Sequence, residues 1–172
     1  MKAFLFGVVI GVILLPLLAF FYIKLGYMEV ATAAPPLPFE RKLAHMALDA
    51  RISKEAPAQS PVPATESNLL AGAQLYREHC EVCHGSTSEN KTAIAKGMFP
   101  VPPLLLHGKG VTDDPAGETY WKVANGIRLT GMPGFRGSLS DGQMWEISQL
   151  LATADKLPPS VTAALQQPPA SK

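Results

Sequence analysis

Cys80, Cys83 and His84 form a Cys-x-x-Cys-His run, and no other cysteine occurs among the 172 residues. Two cysteines exclude a disulfide framework by count. If the run is helical, residues three apart share a face, so both thiols project together with the imidazole beside them. No other feature constrains the chain as much, because the fold has to be built around whatever the two sulfurs hold.

Three chemistries use such a pair. Zinc needs two further ligands at knuckle spacing, and His79, His84 and His107 reproduce no such pattern. Thiol–disulfide chemistry places the pair after a β-strand, at the start of a helix. Here the preceding residues 66–79 have helical periodicity, with Leu69 or Leu70, Ala73 and Tyr76 on one side and Gln74, Arg77 and Glu78 on another. Thr65 is suited to cap that helix. The cysteines therefore end a helix. This setting favours the third chemistry, in which two thiols one turn apart reach the two vinyl groups of one porphyrin and the imidazole points at its iron.

Residues 3–23 contain no charged side chain. A helix of that length spans about 30 Å, the thickness of a bilayer core, which favours an uncleaved anchor over residues 1–25 rather than a cleaved signal ending at Ala31-Thr32-Ala33. Pro16 implies a kink, and Gly7 and Gly11 form a weak helix-pairing motif. Residues 26–64 read as a linker. Within it Phe39, Leu43, Met46, Ala47 and Ala50 predict a short amphipathic helix at about 39–54, with His45 exposed. Packing on the main domain and docking on a partner subunit suit this helix best. The mixed sign of its polar face makes the membrane surface the weaker fit. Residues 65–156 form the expected domain and residues 157–172 a Pro-rich tail, mobile or laid along a partner. Fifteen basic residues against fourteen acidic ones argue against nucleic acid as a partner.

An iron held by His84 needs a second axial ligand. Met28 lies in the linker, and Met98 follows His84 so closely that the chain would have to wrap the porphyrin edge quickly. Met144 has core spacing with Ile147, Leu150 and Leu151 on a last helix that Ser140 and Gln143 begin as a capping box. Met132 stands in a loop between Gly131 and Pro133-Gly134, after a helix of about residues 117–126; glycines there would let backbone approach the porphyrin. His107 is the one nitrogen competitor, and reads better as a surface loop residue. Tyr120 and Trp121 are expected in the pocket or core.

Taken together, the opening helix with Gly72 and Tyr76, CEVCH, FPVPPLL, YWKVANGIRLTGMPGF and LSDGQMWEISQLL resemble the mono-haem c-type cytochromes over roughly residues 66–156. The resemblance implies an all-α fold, a small cytochrome c fold of three to five helices wrapped around one haem and preceded by a single transmembrane helix. Its first and last helices cross, with Gly72 allowing close approach to the helix that bears Trp145. It further implies one covalent haem c on Cys80 and Cys83, with His84 and Met132 as axial ligands of the iron. A proline carbonyl, that of Pro103 or Pro102 with Pro103 favoured, accepts the Nδ1 hydrogen of His84. Because haem is attached after export in this family, the expected location is the bacterial inner membrane, single-pass, with the haem domain facing the periplasm.

With both axial positions filled there is no open site for substrate, which points to an electron carrier and not an enzyme. Its partners are then the membrane, an electron donor and acceptor, and subunits of a respiratory or dehydrogenase complex if it is not a free tethered shuttle. A haem peroxidase or gas sensor is the alternative, and would need an open distal position with an acid or base beside it. Only Arg128 and Thr130 lie in the right segment.

Overall fold

The computed structural model describes residues 1–87, 91–107 and 112–167, and every described element is helical. The chain divides into two compact units, Met1–Pro38 and Phe39–Lys172. The first holds α1 (Lys2–Lys24), which runs unbroken through Pro16 and buries none of its side chains. It is long and apolar enough to cross a membrane. Tyr22 in its last turn stacks on Tyr27 just past its end, with ring centroids 5.8 Å apart.

The second unit contains α2 (Glu40–Glu55), α3 (Glu66–His79), α4 (Glu81–His84), α5 (Ala93–Lys96), α6 (Ala116–Asn125), α7 (Asp141–Ala152) and α8 (Pro159–Gln166). Both predicted caps are present. Thr65 Oγ1 accepts from the Asn68 amide, and Ser140 and Gln143 satisfy each other's backbone amides at the start of α7, removing orphan donors that would otherwise face solvent or the core. The core joins α3, α6 and α7 through Leu69, Ala73, Tyr76, Tyr120, Val123, Met144, Ile147 and Leu150. Leu69 is the member of the Leu69/Leu70 pair that turns inward; Leu70 is exposed. Tyr120 stacks on Trp145 at 4.2 Å and donates its hydroxyl to Asp141 at 2.8 Å, so it ties α6 to the start of α7.

Gly72 marks the crossing of α3 and α7. A Cβ built there would stand 2.4 Å from the carbonyl oxygen of Glu146 and 2.8 Å from its carbon, and neither backbone atom can move without shifting a helix. We expect Gly72→Ala to destabilise the folded domain by about 3 kcal/mol, which for a domain of this size lowers the thermal midpoint by more than about 10 °C. Thermal unfolding followed at the Soret band checks this, and an unchanged midpoint would show that the crossing is looser than described.

Two segments that flank the expected domain are packed on it. The tail at 157–172 is not loose over its described part: Pro159 opens α8, whose Val161 and Leu165 are buried against the core. Proline at the first helical position has no amide to satisfy and its φ is already helical, so it starts this helix instead of breaking it. Ser160 Oγ donates to Glu66 Oε1, pinning α8 to the start of α3. Residues 168–172 of the tail lie outside the described residues. At the other end, the compact unit also takes in α2. Ile52 is buried, the Trp121 indole donates to Glu55 Oε2 at 3.1 Å, and the Gln149 amide donates to the Val62 carbonyl at 2.8 Å.

Candidate cofactor site

The Cys80 amide closes α3 on the Tyr76 carbonyl, and the Cys80 carbonyl then accepts from the amides of both Cys83 (3.1 Å) and His84 (2.9 Å). One tight turn thus sets both sulfurs and the imidazole together, all half-buried. Burial, with a smaller contribution from Cys83, pushes the Cys80 thiol up to about 12, so it carries its proton at neutral pH. Tyr76 is fully buried and donates its hydroxyl to the Gly85 carbonyl at 2.7 Å. Burial raises its phenol well above the ordinary tyrosine value, so that donor is permanent. Gly85, at φ 76°, takes a left-handed conformation that a side chain would strain, and the chain turns away immediately after His84.

His84 Nδ1 lies 2.9 Å from the Pro103 carbonyl. A carbonyl only accepts, so the hydrogen sits on Nδ1 and Nε2 keeps its lone pair for a metal. Burial lowers the affinity of this imidazole for a second proton; the bond to Pro103 opposes that, and the charge of Lys91 adds to it. The ring is therefore neutral near pH 7 and available as a ligand.

Met132 is half-buried and packs against the core cluster, as Phe135 and Leu105 also do. The loop that carries it is folded back on the end of α6. The Ile127 amide donates to the Met132 carbonyl at 3.2 Å, and the Phe135 amide to the Val123 carbonyl at 2.9 Å. A Cβ on Gly126, at φ 67°, would stand 2.5 Å from the Gly134 amide nitrogen, and one on Gly134 would stand 2.8 Å from the Asn125 carbonyl. These two glycines let the two ends of the loop touch each other. Thr130 also has a fixed task. Its hydroxyl donates to the Ile127 carbonyl at 2.7 Å and accepts from the Met132 amide at 3.1 Å, holding the backbone of Met132. Only the Thr side chain in the loop sequence hinted at this, and it was weighed as a distal acid or base.

Met98 does reach this loop. A Cβ on Gly131 would lie 1.8 Å from its methyl carbon and 3.4 Å from its sulfur. The fourteen residues from His84 suffice because α5 and the segment after it double back, Thr92 Oγ1 donating to the Val82 carbonyl at 2.6 Å. Met98 therefore stands against the residue before Met132, and chain length does not keep it away from this loop. Met144 is fully buried in the core. His107 is half-buried, with Nε2 enclosed and without a hydrogen-bond partner among the described residues, which is not the surface position expected. Arg128 is exposed. Trp121 lies outside the core on the bond to Glu55.

Two thiols, an imidazole with one nitrogen committed and a thioether loop suit a porphyrin iron. Among the described residues no group of three or more His, Cys, Asp or Glu stands together. Residues 67–151 match the family model described as cytochrome C oxidase, cbb3-type, subunit III. They form a c-type cytochrome domain. The cytochrome domain is also similar to a thiosulfate dehydrogenase of Stutzerimonas stutzeri (strain A1501), with 31% identity over 97 residues, 56% of this chain and 30% of that protein. The chain thus spans under a third of that relative's length. As in the family, the cytochrome domain binds covalently attached haem c and serves electron transfer. Helices α2 and α8 lie outside the matched segment, one on each side of it.

Proposed function

We propose that the chain is a membrane-anchored periplasmic electron carrier whose single haem is bound through Cys80 and Cys83 and ligated by His84 and Met132. The observation that carries this reading is the His84 turn, with Nδ1 committed to Pro103, combined with a methionine loop held by Gly126, Gly134 and Thr130. The haem supplies a one-electron iron couple. The protein's part is to keep His84 neutral and oriented, to hold the Met132 sulfur, and to leave no position for substrate. Thioether ligation favours ferrous iron relative to a second imidazole, so the potential is moderately positive.

Thr130 is occupied by backbone groups and Arg128 faces solvent, so neither is a ready distal acid or base; this argues against the peroxidase and gas-sensor alternatives. The two likenesses, to an oxidase subunit and to a dehydrogenase, support a place beside a redox enzyme as its haem subunit or tethered shuttle. The apolar exposed α1 supports an anchor in the bacterial inner membrane with the haem domain outside the cytoplasm. Protease added to intact spheroplasts is expected to remove the haem domain and leave a membrane-retained α1 fragment. Survival of the domain until the cells are lysed would reverse the topology.

A further inference from the structure

Helix α2 carries two apolar faces. Ile52, with Glu55 bonded to Trp121, points into the domain and fixes the helix on α6; a Cβ on Gly117 of α6 would collide with the Pro57 carbonyl just beyond it. On the opposite side Leu43 and Met46, one turn apart and 60% and 58% exposed, form an apolar stripe, and Phe39, which caps the helix in a left-handed conformation, adds a 74% exposed ring at its entry. At 100° per residue Ala50 extends this stripe and Ile52 is half a turn away, so one helix cannot bury both. Packing on the haem domain is therefore excluded as the purpose of the stripe.

We infer that the Phe39, Leu43 and Met46 stripe of α2 seats in the membrane surface, holding the cytochrome domain against the bilayer with α2 as its foot. The inference rests on the reading of α1 as an anchor. Fourteen residues, 25–38, separate α1 from Phe39, so the stripe stays within about 50 Å of the end of the span. Those residues include a single charge, Glu29, and exposed Leu25, Tyr27 and Val30, so the connecting chain is itself compatible with lying at a bilayer surface. Tyr22 and Tyr27 are the amphipathic residues expected at the headgroup level. Lys42 and Lys54 border the stripe with long stems that can lie along an apolar surface while their charges reach water. Asp49 also borders it, so attraction to anionic lipid is weak and burial of the apolar side chains carries the contact. The mixed charge of the polar face, which made a membrane seat the weaker fit from the sequence, thus bears on lipid preference and not on seating.

The test uses the full-length haem-loaded protein in phosphatidylcholine vesicles, with single spin labels introduced as Leu43→Cys, Met46→Cys, Gln74→Cys and Leu14→Cys. Gln74 is an exposed residue of α3 and Leu14 lies mid-way along α1. An unchanged haem spectrum shows that each variant is folded. At 43 and 46 the ratio of collision with oxygen to collision with a water-soluble nickel chelate is expected to be several-fold that at 74, and of the same sense as at 14. A lipid-embedded position 14 with 43 and 46 as water-accessible as 74 overturns this inference and leaves the anchor intact. Labels at 43 and 46 shielded from both reagents overturn it in favour of a protein contact, with a second copy or another subunit. A water-accessible position 14 overturns the anchor reading and the inference with it.

Discussion

Replacing Met132 by alanine is expected to leave the haem attached while opening its sixth position to carbon monoxide and lowering the reduction potential by on the order of 0.1 V, a modest part of the about 0.8 V that axial ligands command. Attachment survives because the two thioethers and His84 are untouched. The potential falls because water or hydroxide, being harder than thioether sulfur, stabilises ferric iron. Met98 makes this variant more informative than it would otherwise be. Its methyl packs on Gly131, immediately before Met132, so a sulfur is at hand if the loop rearranges. The parallel variants are expected to separate the two: Met98→Ala and Met144→Ala keep the ligation spectrum and cost stability, about 2 to 5 kcal/mol where the side chain is fully buried, as Met144 is. If Met132→Ala keeps a six-coordinate spectrum and its potential while Met98→Ala or a His107 substitution loses them, the distal ligand is misassigned.

Replacing Cys80 and Cys83 together by alanine is expected to abolish covalent haem and, with it, cooperative folding of the cytochrome domain. The segment that matches the family, residues 67–151, has little core of its own to spare. Here Cys80, Leu105, Met132 and Phe135 lie only partly buried at the edge of the core cluster, and bound haem adds its contacts to the folded state alone. Far-ultraviolet circular dichroism during thermal unfolding reads the outcome. A cooperative, helical, haem-free domain would contradict the prediction and show that α3, α6, α7 and α8 are self-sufficient.

Much of the fold was legible because its signals are local. The caps at Thr65 and Ser140 and the helical spacing before Cys80 need only neighbouring residues to be understood. Gly72 was legible through family resemblance, and the 2.4 Å approach to Glu146 supplies the physical reason. The misreadings concern what distant segments do to each other. Proline density at 157–169 reads as a tail until α3 is seen to offer Val161 and Leu165 a place to pack. The exposed stripe of α2 and its buried Ile52 share one helical pattern, and only the bond from Trp121 to Glu55 decides which face turns inward. Gly134 was recognisable as an opportunity for close approach, but that it meets the Gly126 end of the same loop depends on the loop's closure. Met98 is the same case, since distance along the chain says little about reach once a segment doubles back.

The central claim is a six-coordinate haem c whose iron sits between the imidazole of His84 and the sulfur of Met132, moving electrons and binding nothing. The visible spectrum of the intact protein in both oxidation states, recorded with and without carbon monoxide, tests it most directly. The oxidised protein is expected to show the weak thioether-to-iron band at the red edge, and the reduced spectrum is expected to be unchanged by carbon monoxide. A missing red-edge band together with a carbon monoxide complex of the reduced protein would contradict the claim and identify an open, ligand-binding haem.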